Sequence, residues 1–393
     1  MLHSAVRERQ STDLPLPGEE ALAHSRRVSA LIGDEIRSAG GWISFARYME
    51  LALYAPGLGY YVAGARKLGP DGDFVTAPEI SPLFGRSLAR QVGQVLKAAG
   101  GDVLELGAGS GRLAADVLAG LADSGELPQR YRILEVSPPL REGQHAVLAR
   151  QVPGLLERVE WIERLPQRLS GVVLANEVLD AVPVHVVAWH PSGVVERGVA
   201  LEGERCAWAD QPAGATVRAA AAALEVSPPY VSEIGLTARA LTFTLAHRLE
   251  RGLMLFIDYG FGRREYYHPQ RRTGTLMCHF RHRSHDDPFF LPGLQDITAH
   301  VDFTSIAASA TRAGLELFGY ATQAQFLLNC GITGLLAQTP AADAAAYLPQ
   351  SAAVQRLLSP AEMGELFKVI ALGRGINLPL AGFTAGDRSR LLE

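Results

Sequence analysis

The sequence predicts an α/β protein built on a doubly wound parallel sheet, with a helical N-terminal region in front of it and a β-hairpin inserted into it. Three observations lead there. Beyond Gly101 short apolar runs alternate with helical segments, the pattern of strands covered on both faces by crossover helices. One of these runs passes straight into a turn with three glycines and then into a helix. The chain has 393 residues, 48% hydrophobic and 20% charged, enough to bury such a sheet without disulfide or metal staples.

Taken in order, residues 1–24 are mixed in character, carry Pro15 and Pro17, and read as a flexible tail. The 25–100 region reads as helical. Val28, Leu31, Ile32 and Ile36 keep a helical rhythm up to Gly40-Gly41, and a second helix runs from Ile43 to Ala55 before Pro56-Gly57. A third has Ser81 as cap, Pro82 in its first turn, and Phe84, Leu88, Val92, Val95 and Leu96 on one face. The Gly- and Pro-punctuated stretch before it contains Asp73, Thr76 and Glu79, which would form a lid over a ligand or a wall of an acceptor channel. In the 101–393 core, strands are expected at 103–106, 132–136, 159–162, 172–175, 253–257 and 367–372. The insertion, about 184–210, alternates with period two around Pro191-Ser192-Gly193, as a hairpin does. It would recognise a substrate or carry the contacts of a homodimer.

Composition removes several functions. A net charge of -4 gives no bulk attraction for DNA. Cys206, Cys278 and Cys330 are too far apart for a Cys-x-x-Cys pair and read as reduced thiols. The first thirty residues balance acids against arginines and lack an apolar signal core, which points to a cytoplasmic setting. The charge-free stretch 317–342 is interrupted by Gln323, Gln325, Asn329 and Pro340, so no membrane insertion is expected. His279, His282 and His285 lack the spacing and intervening glutamate of a helical zinc site. They read as a polar loop, with a basic docking surface for an acidic partner or RNA as the alternative.

The most informative segment is Val103-Leu104-Glu105-Leu106-Gly107-Ala108-Gly109-Ser110-Gly111-Arg112. Glycines there let the backbone take positive φ and let a ligand approach without a Cβ in the way. A dinucleotide fingerprint would need its third glycine where Arg112 stands. Glu105, two residues before Gly107, would repel a pyrophosphate and attract a cation. Glu135, 28 residues beyond Gly107, ends the next strand, where an acid can accept both ribose hydroxyls. A nucleoside with a cationic amino-acid tail, S-adenosylmethionine, satisfies both. Asn176 and Glu177 follow the strand at 172–175 at its carboxyl end, where ligands sit in open α/β sheets. Glu177 and Asp180 would hold a guanidinium by bidentate hydrogen bonds and localise electron density on the attacking nitrogen. The plainer reading has Asp180 capping a short helix and Glu177 solvated. Asp258-Tyr259 would line the acceptor pocket, or Asp258 is a hydrogen-bonded turn residue.

Several blocks carry a family resemblance: Arg47-Tyr48-Met49 with Leu53-Tyr54, Gly59-Tyr60-Tyr61, the run from Gly72 to Ser81, the glycine turn, the run from Asn176 to Pro183, Ile257-Asp258-Tyr259-Gly260, and the run from Asp296 to Phe303. By these the chain resembles the MidA-like family of class I methyltransferases, the family of the mitochondrial complex I assembly factor NDUFAF7. The resemblance implies a Rossmann-like methyltransferase sheet, S-adenosyl-L-methionine as cofactor, and protein arginine as acceptor, with a respiratory complex I subunit as a candidate partner. The expected site has Glu105, Gly107, Gly109, Gly111, Glu135, Asn176 and Thr76 on the cofactor, Asn176, Glu177 and Asp180 in catalysis, and no metal. Two other readings share the same scaffold: a complex assembly factor that binds its partner, and a small-molecule methyltransferase.

Overall fold

The computed structural model describes residues 14, 17–63 and 76–393. The chain divides into two compact units. One takes the described residues before 64 with Asp180–Ala238 and Arg264–His300, and the other takes 76–179, Arg239–Arg263 and Val301–Glu393. This differs from the expected boundary at residue 100. The helix Pro82–Ala99 puts Phe84, Leu88, Val92 and Val95 into the same core as the parallel strands, so it belongs with the sheet that follows.

The sheet of the second unit is built from β1 (Asp102–Leu106), β2 (Tyr131–Leu134), β3 (Val159–Ile162), β4 (Leu169–Asn176), β5 (Leu249–Phe261), β6 (Val301–Asp302), β7 (Glu316–Thr322) and β8 (Phe367–Arg374). Its order is β7-β8-β5-β4-β1-β2-β3, with β6 paired to the end of β5. From β5 to β3 all pairs are parallel, whereas β8 is antiparallel to both its neighbours. The run at 367–372 therefore does not join a purely parallel sheet. Seven of the eight residues of β8, Lys368 included, are buried, and burial on both faces carries no mark of direction. Val103, Ile133, Val172, Leu174, Leu253, Leu255 and Val369 share one core with Leu113, Val117 and Leu121 of the helix Arg112–Ser124. Each such side chain contributes roughly 1.5–3 kcal/mol by leaving water. Ser81 caps the helix it precedes, its hydroxyl accepting from Leu83 N at 3.2 Å, and Gly100 at φ +65° ends it. From β1 the chain winds outward through β2 to β3 and then returns to β4 on the other side. The strand order thus reverses between β1 and β4 and leaves a crevice beyond their carboxyl ends.

In the first unit the opening helix is Glu19–Ser38, so the tail expected over 1–24 is too long. Glu19 and Glu20 occupy its first turn, where the helix dipole favours acids. Phe45–Tyr54 follows, capped by Ser44. The insertion is larger than a hairpin. Gly193–Glu202 pairs with His185–His190 and Arg205–Pro212, and Tyr230–Ile234 and Ile43–Ser44 complete an antiparallel sheet. Val28, Ile32, Phe45, Tyr48, Val186, Val199 and Ile297 form its core.

The expected polar loop around the histidines is a small sheet instead, Met277–Phe280 with Arg283–His285 and Asp296–Thr298, turned at Arg281 and His282 with φ +48° and +60°. Cys278 pairs with His285 and His279 with Ser284, so His279 and His285 face opposite sides. Among the described residues no group of three His, Cys, Asp or Glu could hold a metal ion, and no helix is long and apolar enough to cross a membrane.

Candidate functional site

The glycine turn lies at the strand-order reversal. Gly107, Gly109 and Gly111 have φ of +62°, +54° and +86°, a region that side-chain-bearing residues rarely adopt. A Cβ on Gly107 would stand 3.1 Å from Val178 Cγ2, just past β4, with nothing else among the described residues within 4 Å. A Cβ on Gly111 would meet Gln144 Cα at 3.0 Å. Gly111 therefore makes room for the helix Pro138–Gln151, where the sequence reading had all three glycines making room for a ligand. The turn is also tied from outside. The Ser110 hydroxyl donates to Glu79, and Arg112 Nε lies 3.9 Å from the other Glu79 oxygen. Thr76 is the N-cap residue of the short helix Ala77–Ile80 and makes no capping bond. Asp73, the other expected lid residue, lies outside the described residues.

Glu105 sits in β1 at 1% exposure and accepts from the Tyr131 hydroxyl at 2.7 Å. Burial pushes its carboxyl up to about 7, against the pull of that hydrogen bond. The full negative charge expected at this position is therefore divided near neutral pH between charged and neutral forms. Glu135 stands just past β2. Its Oε1 accepts from Ser137 N at 2.9 Å and its Oε2 from Gln144 Nε2 at 3.1 Å.

Sequence reasoning missed Gln144, which is wholly buried and also bonds the Gly109 carbonyl and the Trp161 indole. The available signal was its spacing of four from buried Leu148, which puts a polar residue on the inner face of a helix. Val136, assigned to the strand, lies past its end and is 59% exposed beside Glu135.

At the end of β4, Asn176 Nδ2 donates to Glu177 Oε1 at 3.1 Å, while Asn176 Oδ1 is buried with no hydrogen-bond partner among the described residues. Glu177 adopts φ +53°, its N–H bonds the Ile257 carbonyl at 2.9 Å, and its Oε1 accepts from Ala77 N at 3.4 Å. A left-handed non-glycine residue costs about 1–3 kcal/mol and persists where its surroundings hold it. Asp258 supplies that hold. Its carboxylate accepts from the backbone of Val178, Leu179 and Tyr259, which makes it the hydrogen-bonded turn residue of the two readings.

Asp180 belongs to the first unit, where it is buried and begins no helix, so the capping alternative falls away. Its carbonyl accepts from Ala299 N. Tyr54 bonds the Ala181 carbonyl at 3.0 Å, Tyr61 bonds Asp296 Oδ1 at 2.8 Å, and the two rings stack at 5.5 Å. Burial first, then the charges of Asp296 and Asp180, push both phenols up.

A nucleoside with a cationic amino-acid tail fits the second unit's crevice. The buried Asn176 Oδ1 offers an acceptor that no group among the described residues uses, and Val178 is the one described neighbour that a Cβ on Gly107 would meet within 4 Å. Residues 84–321 match a family model described as "Putative S-adenosyl-L-methionine-dependent methyltransferase". The chain is 30% identical to the Danio rerio protein named protein arginine methyltransferase NDUFAF7, mitochondrial, over 88% of this chain and 90% of that one. It is 31% identical to the Mus musculus protein of the same name, over 89% and 86%. A Burkholderia thailandensis crystal structure bound to S-adenosyl-homocysteine superposes with a TM-score of 0.93 at 51% identity, covering 96% of this chain and all of that one.

Proposed function

Since the chain belongs to the S-adenosyl-L-methionine-dependent methyltransferase family that matches it over residues 84–321, we propose that it methylates arginine side chains of a protein. Methyl transfer from S-adenosylmethionine is the family's chemistry, and the relatives named protein arginine methyltransferases support the acceptor. The observation that carries the reading is Glu177, an acid held in a left-handed conformation at the end of β4 with its carboxylate engaged by the neighbouring Asn176 amide.

When bound, S-adenosylmethionine supplies a methyl group on a sulfonium, open to in-line displacement by a nitrogen. On this chain Glu135 would accept from the ribose hydroxyls, the turn at Gly107, Gly109 and Gly111 would border the tail, and Asn176 Oδ1 would accept from its ammonium. Glu105, in β1 two residues before the turn, is assigned to the cofactor's cation, and Thr76 completes the assigned cofactor contacts. Glu177 would accept hydrogen bonds from the guanidinium and localise electron density on the attacking nitrogen. That nitrogen sheds a proton as its new bond forms, and Glu177 is the base we assign to take it. A respiratory complex I subunit remains the proposed partner on the family resemblance alone.

The test is to incubate the chain with methyl-labelled S-adenosylmethionine and host lysate and locate the label by tandem mass spectrometry. Gains of about 14 mass units per methyl on arginine are expected. Label confined to small molecules, or on no protein, would end the arginine assignment.

A further inference from the structure

We infer that Gln144 is a positioning residue for the cofactor's ribose, acting through Glu135, an inference that rests on the proposed role of Glu135. The amide of Gln144 has its bonds divided in one way. Its Oε1 accepts from Trp161 Nε1 at 2.9 Å, while Nε2 donates to Glu135 Oε2 at 3.1 Å and to the Gly109 carbonyl at 3.0 Å. An indole can only donate, so the amide oxygen must face Trp161, and both amide hydrogens are left for the two acceptors. The flipped amide would set an oxygen against a carboxylate and a carbonyl at once. Gly111, lacking a Cβ, lets the backbone of Gln144 come close enough for this reach.

One wholly buried side chain thus couples the segments that follow β1 and β2 to Trp161 of β3. The consequence for Glu135 is geometric. With Ser137 N on Oε1 and Gln144 on Oε2, each carboxylate oxygen has one donor among the described residues and keeps further lone pairs for a vicinal diol. Without Gln144, Oε2 has no amide to define its direction, and the carboxyl can turn away from the sugar.

The test is calorimetry on the full chain with two ligands, S-adenosylhomocysteine and its 2′-deoxy analogue. Wild type should bind the deoxy analogue about 10- to 100-fold more weakly, the scale of one hydrogen bond to a charged group. Gln144→Met keeps the volume and removes both donors. It should weaken S-adenosylhomocysteine by a similar factor and bring the two ligands within about threefold of each other, a coupling that a double-mutant cycle isolates. In turnover, the KM for S-adenosylmethionine should rise while kcat at saturation stays within about threefold.

A Met variant that still discriminates like wild type overturns the inference. So does one that loses both ligands equally together with a lowered unfolding temperature, which marks a structural role only. If Gln144→Met does not fold, Trp161→Phe removes the donor that orients the amide and should show partial loss of the same discrimination, full discrimination being the overturning result. Equal binding of both ligands by wild type instead overturns the assignment of Glu135 to the ribose, and this inference with it.

Discussion

Asp258 on β5 accepts backbone hydrogen bonds from Val178 at 3.2 Å and Leu179 at 2.9 Å, so the segment that leaves β4 through Glu177 is tied to the neighbouring strand. Asp258→Ala removes the acceptor for both N–H groups. At about 1–3 kcal/mol for each of these two donors left unsatisfied, we expect a loss of roughly 2–6 kcal/mol in urea denaturation. Turnover should fall as well, because Glu177 is then free to leave φ +53°. A denaturation midpoint indistinguishable from wild type would show that Asp258 is not the hold.

Much of this was readable in the residues and some was not, for physical reasons. The order Glu105, glycine turn, Glu135 and Asn176-Glu177 marks a strand-turn-helix unit and the ends of strands, and strand ends define the crevice whatever the details of packing. The reversed β8 was not readable, since burial on both faces erases periodicity and direction together. The charge state of Glu105 was hidden because it depends on Tyr131 and on burial, and neither is local in sequence. Gln144 was hidden for the same reason, its partners lying 9, 17 and 35 residues away. Asp180 looked like part of one run with Glu177, yet the compact units part between Leu179 and Asp180.

Gly107→Val places a β-branched side chain at φ +62°, with its Cβ 3.1 Å from Val178 Cγ2. The turn must distort, at a strain of about 1–3 kcal/mol. We expect S-adenosylhomocysteine binding to weaken by about 100-fold or more in calorimetry, with far-ultraviolet circular dichroism close to wild type. Wild-type affinity in this variant would remove the turn from the cofactor site.

Glu177→Gln keeps an oxygen for Ala77 N and removes the charge and the proton acceptor. Cofactor affinity should stay within about threefold while kcat falls roughly 100- to 1,000-fold, the range of a lost general base with its charge-assisted bonds. Unchanged turnover in this variant would take Glu177 off the catalytic list.

The pH dependence of stability follows from Glu105, whose carboxyl ionises near 4.5 when free and near 7 when folded, raised by burial against the Tyr131 hydrogen bond. Between those values the folded chain holds more protons than the unfolded one, so this group makes stability fall as pH rises through the window. The penalty is absent below about 4.5, complete above about 7 and, at 1.36 kcal/mol per unit, on the order of 3 kcal/mol. Glu105→Gln has no such group, and its amide oxygen can still accept from Tyr131. Its urea midpoint should match wild type near about pH 4 and exceed it near about pH 8. The same ionisation should act on the ligand in the opposite sense. As the charged form grows from about pH 6 to about pH 8, affinity for the sulfonium should rise in wild type and stay flat in Glu105→Gln, while S-adenosylhomocysteine, which lacks the sulfonium charge, should show much less of this rise. Parallel stability profiles for the two proteins would mean that Glu105 ionises like an ordinary carboxyl, and parallel affinity profiles that its charge does not reach the cation.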